Sequence, residues 1–148
     1  MESARSAAAK ILEDVLSFFG LNVVVDADEE GDIIHLAVPS SDMNGFLIGT
    51  RAETLRSLQN IVNAIMRSKG FGEVRVNVDI AGYKKQRAEK LASRAKGWMD
   101  KVKESGEPMH LEPMNAADRR TVHQAAGEAG ISTESVGEGR ERHIVLKL

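Results

Sequence analysis

The sequence predicts an α+β fold in two consecutive units, α-β-β-α-α-β over residues 1–80 and α-β-α-β-β over residues 81–148. Apolar residues recur at helical spacing in four long stretches, and short runs rich in β-branched residues lie between them, punctuated by glycine and proline. The charge also changes sign part-way along. Residues 1–80 hold 7 Lys+Arg against 12 Asp+Glu, and residues 81–148 hold 13 against 10.

In the first stretch Ala8, Ile11, Leu12, Val15, Leu16 and Phe19 share one helical face, and Gly20 stops the helix. Residues 21–26 and 32–38 read as a hairpin around the acidic turn Asp28-Glu29-Glu30-Gly31. After a loop over residues 39–44, Gly45-Phe46-Leu47-Ile48 forms an apolar helical turn. Gly49-Thr50-Arg51-Ala52 then leads into a helix over residues 53–68 that carries Leu55, Leu58, Ile61, Val62 and Ile65. Gly70 and Gly72 end that helix, and residues 73–80 alternate as a strand.

The second unit opens on a long helix over residues 83–104, with Ala88, Leu91, Ala95, Trp98 and Val102 on its buried side. Arg87, Lys90, Arg94 and Lys101 run beside that apolar stripe. They read either as a solvated face or as a stripe turned toward phosphate, on the only net-basic segment of the chain. Gly106, Pro108 and Pro113 bracket a short strand over residues 109–112. Asn115 caps a helix over residues 116–129, with Asp118 in its first turn. Residues 131–136 and 143–148 are strands, joined by a loop that opens with Gly137-Glu138-Gly139.

Much chemistry is excluded. With no cysteine there is no disulfide framework, thiolate metal site or cysteine nucleophile. Gly137-x-Gly139 lacks the following helix that a dinucleotide site needs, and neither a Walker pattern, a Gly-x-Ser-x-Gly nor a His-Glu-x-x-His is present. His35, His110 and His143 fall on strands opposite the apolar residues, so they are expected to be exposed. The expectation is a soluble cytoplasmic protein without enzymatic activity, cofactor, metal or membrane insertion. The net charge of −2 gives no warrant for nucleic-acid binding by itself, and 4% aromatic residues argue against a base-stacking sheet.

Two small motifs point the other way. Ile48-Gly49-Thr50-Arg51-Ala52 opens on glycine and runs straight into a helix N-terminus. Such a turn exposes backbone N–H groups to which a sugar-phosphate chain can come close, and Arg51 adds a cation. It could equally be a helix-loop-helix turn packed on a sheet. The second is Arg119-Arg120-Thr121-Val122-His123. Arg119 and His123, four apart, lie one turn above each other beside the apolar face of Val122 and Ala126. Their polar heads either converge at the surface, where a phosphate or a nucleotide edge would suit them, or belong to a partly buried histidine satisfied by a carboxylate.

In its setting the first motif resembles the Gly-x-x-Gly loop of a type II KH domain, over roughly residues 2–80. Ala52 stands where that pattern has glycine, and Thr50 where a basic residue is usual; both changes weaken backbone clamping. Arg119-x-x-x-His123 is the pattern for which the R-three-H domain is named. Together with Gly82-Tyr83, Met114-Asn115, Thr133-Glu134-Ser135, Gly137-Glu138-Gly139 and Glu141-Arg142, it makes the chain similar to the bacterial Jag (SpoIIIJ-associated protein) family, a KH domain followed directly by an R-three-H domain. Longer members carry a further N-terminal domain, and here Met1 falls at the first KH helix, so that domain is expected to be absent.

The resemblance implies binding of single-stranded RNA, or the related single-stranded DNA, in the bacterial cytoplasm. It also implies post-transcriptional regulation linked to cell elongation, division or sporulation, and a small KH-only protein as partner. On this reading Gly49, Thr50, Arg51 and Ala52 hold the backbone, and Ile48 and Ile34 line an apolar base groove. Arg119, Arg120 and His123 form a second surface, helped by Arg87, Lys90 and Arg94. Two weak sites on one chain give avidity when one strand spans both. The alternative is a protein-interaction adaptor, a KH fold turned to homodimerisation or partner docking.

Overall fold

The computed structural model describes all 148 residues, which divide into two compact units, Met1–Lys84 and Lys85–Leu148. In the first, α1 (Ala4–Phe18) starts where the Ser3 hydroxyl accepts the Ser6 N–H, and it buries Ala7, Ala8, Ile11, Leu12 and Leu16. β1 (Asp26–Glu30), β2 (Ile33–Val38) and β3 (Arg75–Ile80) form a sheet in the order β1-β2-β3. The first pair is antiparallel and the second parallel. Between β2 and β3 lie α2 (Asn44–Ile48) and α3 (Glu53–Ser68). Alternate strand residues enter the core in register, Ile34 beside Val76, Leu36 beside Val78 and Val38 beside Ile80. They meet Leu55, Leu58, Val62 and Met66 of α3 in one cluster.

Two expectations change here. The first strand lies five residues later than its β-branched run suggests, because pairing is set by a two-residue connection, Gly31-Asp32, in which Gly31 takes a φ of +63°. Pro39 follows the last residue of β2 and can donate nothing to a longer ladder, so residues 21–25 remain unpaired. The acidic segment is therefore a strand at the sheet edge, where charge is tolerated. Ile34 is only 2% exposed. It packs in the core and lines no base groove, because the side of β2 that carries it faces the helices.

The other edge strand is covered. Asn63 of α3 donates to the Val76 carbonyl and accepts the Val76 N–H, and Gln59 accepts the Val78 N–H. Two side chains thus close the outer hydrogen-bonding row of β3. Lys84 reaches the same place, donating to Gln59 and Asn77, and burial pushes its pKa below the ordinary lysine value while Asp79 opposes the shift.

The second unit consists of α4 (Tyr83–Ser105) from Lys85 onward, its first two residues belonging to the first unit, with β4 (Met109–His110), α5 (Ala116–Glu128), β5 (Ser132–Val136) and β6 (His143–Lys147). Its sheet is antiparallel with β6 in the centre. Leu91, Ala95, Met99 and Val102 of α4 pack with Val122 and Ala126 of α5 and with Ile144 and Leu146 of β6. Trp98 and Ala88, expected on the buried side, are half-buried, and Met99 takes the central place. β4 is shorter than expected, ending before Pro113, although the Leu111 N–H still reaches the Ile144 carbonyl.

The histidines expected to be exposed are so only in part. His110 is exposed, but it meets half-buried His143, with Nδ1 to Nε2 at 3.1 Å. His35 is half-buried between Glu30 and Asn77. No helix is long and apolar enough to cross a membrane.

Candidate nucleic-acid interface

The first candidate surface is the turn between α2 and α3. Gly49 ends α2 with its N–H on the Gly45 carbonyl (2.9 Å), then leaves at φ +74°, ψ 177°, a region essentially reserved for glycine. A Cβ added there would lie 2.3 Å from the Thr54 hydroxyl oxygen. Glycine is therefore required by backbone and by space. Arg51 and Ala52 follow with φ of +54° and +59°, two successive left-handed residues that are not glycine. The sharp turn delivers the chain into α3, whose N-cap Ala52 has no oxygen to offer the first-turn amides.

Thr50 and Arg51 are exposed, Gly49 and Ile48 half-buried, and Ala52 buried. The carbonyl of Arg51 accepts Nη1 of Arg56 at 2.7 Å, so Arg56 is a second guanidinium at the turn. Sequence reasoning missed it. The one available signal was spacing, since Arg56 lies four residues beyond Ala52 on the exposed side of α3.

The second candidate surface is built on α5. Asn115 caps it by accepting the Asp118 N–H at 2.9 Å. The Asp118 carboxylate, 12% exposed, receives Nε and Nη2 of Arg87 at 3.3 and 3.1 Å. Arg87 therefore joins α4 to α5 through a largely buried ion pair and is not an outward member of a basic stripe. Farther along α4, Lys90 is exposed, and the Arg94 guanidinium lies over the Trp98 ring, 5.2 Å from its centroid.

Arg119 and His123 are both half-buried, and each is drawn to a different partner. Nη1 of Arg119 turns back to the Met114 carbonyl at 2.5 Å. His123 reaches across to β5, with Nδ1 2.5 Å from the Thr133 hydroxyl and Nε2 2.9 Å from the Ser135 hydroxyl. The partly buried reading of His123 had a carboxylate as partner; two hydroxyls on alternate residues of one strand face fill that role. Helix spacing alone could not identify them, because the register of β5 against α5 is tertiary. Arg120, next to Arg119, is exposed.

The R-three-H domain model matches residues 89–148, which contain Arg119-x-x-x-His123 and the hydroxyls that hold His123. An RNA-binding protein KhpB of Clostridium symbiosum is 34% identical over 152 residues, covering 99% of this chain and 67% of the relative. The chain belongs to the KhpB family. RNA-binding proteins KhpB of Bacillus subtilis and Lactiplantibacillus plantarum are 33% and 26% identical over 68% and 99% of this chain. This KhpB-family chain spans 50% and 46% of those two relatives' lengths.

Proposed function

We propose that the chain binds single-stranded RNA, with residues 1–80 acting as a type II KH domain and residues 81–148 as an R-three-H domain. The observation that carries the reading is the Gly49–Ala52 turn. Its glycine admits no Cβ, and two left-handed residues bring the chain into an N-terminus without a capping side chain. Such a turn presents amides to a phosphate chain. The similarity to RNA-binding proteins KhpB supports RNA as the ligand. The adaptor reading is not favoured by that similarity.

In this proposal the Thr50 amide holds the backbone, the Gly49 and Ala52 N–H groups being engaged by the Gly45 and Gly49 carbonyls, with Arg51 and Arg56 supplying charge. On the second unit Lys90 and Arg120 contribute phosphate contacts, and Arg94 and Arg119, engaged by the Trp98 ring and the Met114 carbonyl, border them. Arg87 and His123 act by fixing α5 against α4 and β5. Sequence discrimination is modest, since phosphate contacts position a strand without reading it. No reaction is proposed. A place in the bacterial cytoplasm, a role in cell elongation, division or sporulation, and association with a small KH-only protein or a second copy belong to the same proposal. Solution mass with and without such a partner tests the assembly.

The RNA reading is tested by titrating mixed-sequence single-stranded RNA against wild type, Arg51→Ala and Arg120→Ala. Each exposed arginine contributes about one phosphate contact, so each variant should bind more weakly across all sequences and show a salt slope shallower by about 0.7. Unchanged affinity in both variants would remove the basis of the proposal.

A further inference from the structure

We propose that Phe46, backed by Phe19, is a stacking subsite for an unpaired base of the strand whose backbone passes the Gly49–Ala52 turn. The inference rests on the RNA-binding reading and names a base-recognition element within it. Of the four phenylalanines only Phe71 is half-buried against the first core; Phe18, Phe19 and Phe46 are 88%, 45% and 57% exposed. Phe19, the C-cap of α1, and Phe46, from α2, nonetheless meet edge to face, with centroids 5.5 Å apart and ring planes at 65°. An edge-to-face contact occupies one ring face at most, so the pair is oriented without being covered. Leaving these rings in water forgoes the stabilisation their burial would bring, and folding alone gives no reason for it.

Helix geometry places the pair beside the turn. Phe46 lies in the last turn of α2, three residues before Gly49, whose N–H closes that turn onto the Gly45 carbonyl, so its ring stands in the turn that leads directly into Thr50 and Arg51. The neighbouring Leu47 is the residue that α2 buries completely. Helical side chains lean toward the N-terminus, which sets the Phe46 ring about one turn, ~5.4 Å of rise, before the loop amides. A nucleotide whose phosphate rests on those amides can lay its base there.

With the first unit acidic, a contact that does not depend on charge, such as base stacking, has to supply part of any hold on a strand there. Residues 1–80 carry 12 acidic against 7 basic side chains, so general attraction for phosphate is weak. Base stacking on an aromatic ring is an affinity source that does not depend on net charge. The turn and its two guanidiniums, Arg51 and Arg56, then fix the strand beside the ring.

The test uses the full chain labelled with carbon-13 in its phenylalanine rings. It is titrated with a short single-stranded oligoadenylate and with an abasic ribose-phosphate strand of equal length. The Phe46 and Phe19 ring signals should move with the oligoadenylate and not with the abasic strand, while Phe71 stays still. Phe46→Leu should weaken oligoadenylate binding about tenfold and leave the salt slope unchanged, because no phosphate contact is lost. RNA binding with unmoved rings, or with wild-type affinity in Phe46→Leu, overturns the subsite and leaves the RNA reading standing. Absence of binding by any oligonucleotide overturns both. A concentration-dependent dimer that Phe46→Leu abolishes would make the patch a protein contact and also overturn the subsite.

Discussion

Ala52 is held at φ +59°, a conformation that costs an L-residue about 1–2 kcal/mol. Replacing it with glycine removes that strain. It also gives up about 0.8 kcal/mol of methyl burial and about 0.4–1 kcal/mol through the freer unfolded chain. The terms nearly cancel, so Ala52→Gly should leave the denaturation midpoint almost unchanged. RNA affinity, measured on the same preparation, should rise, since the smaller residue lets phosphate approach the turn more closely. Unaltered affinity would take the turn out of the interface. The position was legible in the sequence, because the motif marks it as glycine. The left-handed geometry of both Arg51 and Ala52 was not, since nothing in either side chain announces it.

The α4–α5 seam shows what one ion pair does for a helix packing. Arg87→Ala leaves the largely buried Asp118 carboxylate without its guanidinium, and the second unit should lose about 1–3 kcal/mol in a denaturant titration. A change within about 0.5 kcal/mol would instead put Arg87 among the surface cations. In the first unit, Lys84 is linked to pH. Its folded pKa lies below 10.5, so between that lowered value and 10.5 the unfolded chain binds more protons than the native one. Stability therefore rises with pH through that window, and below it the full cost of burying the ammonium is in place. Wild type should gain on Lys84→Gln across the window, and parallel stability curves for the two would contradict the assignment.

Helix limits were readable almost to the residue where the apolar period agrees with a glycine stop, as at the end of α3, or with a capping side chain, as at Asn115 before α5. β1 was misplaced because its β-branched run ends where the hairpin register begins, and the register follows Gly31 and Pro39 more than propensity. Arg87 was read as an outward cation because Asp118 reaches it only through tertiary packing. The same limit hid Thr133 and Ser135 from His123. Single-sequence patterns report which face a side chain occupies, not what it meets across a seam.

The whole chain carries −2 net charge, so any hold on a polyanion must come from local groups rather than from a general field. With Arg51, Arg56, Lys90 and Arg120 all exposed, about three or four phosphates are neutralised on a bound strand. The most direct measurement is the affinity for a mixed-sequence single-stranded RNA across a series of monovalent salt concentrations. Log affinity should fall linearly against log salt with a slope of about −2 to −3, from counterion release at about 0.7 per phosphate. A flat line, or no detectable association at the lowest salt, would contradict RNA binding by this chain.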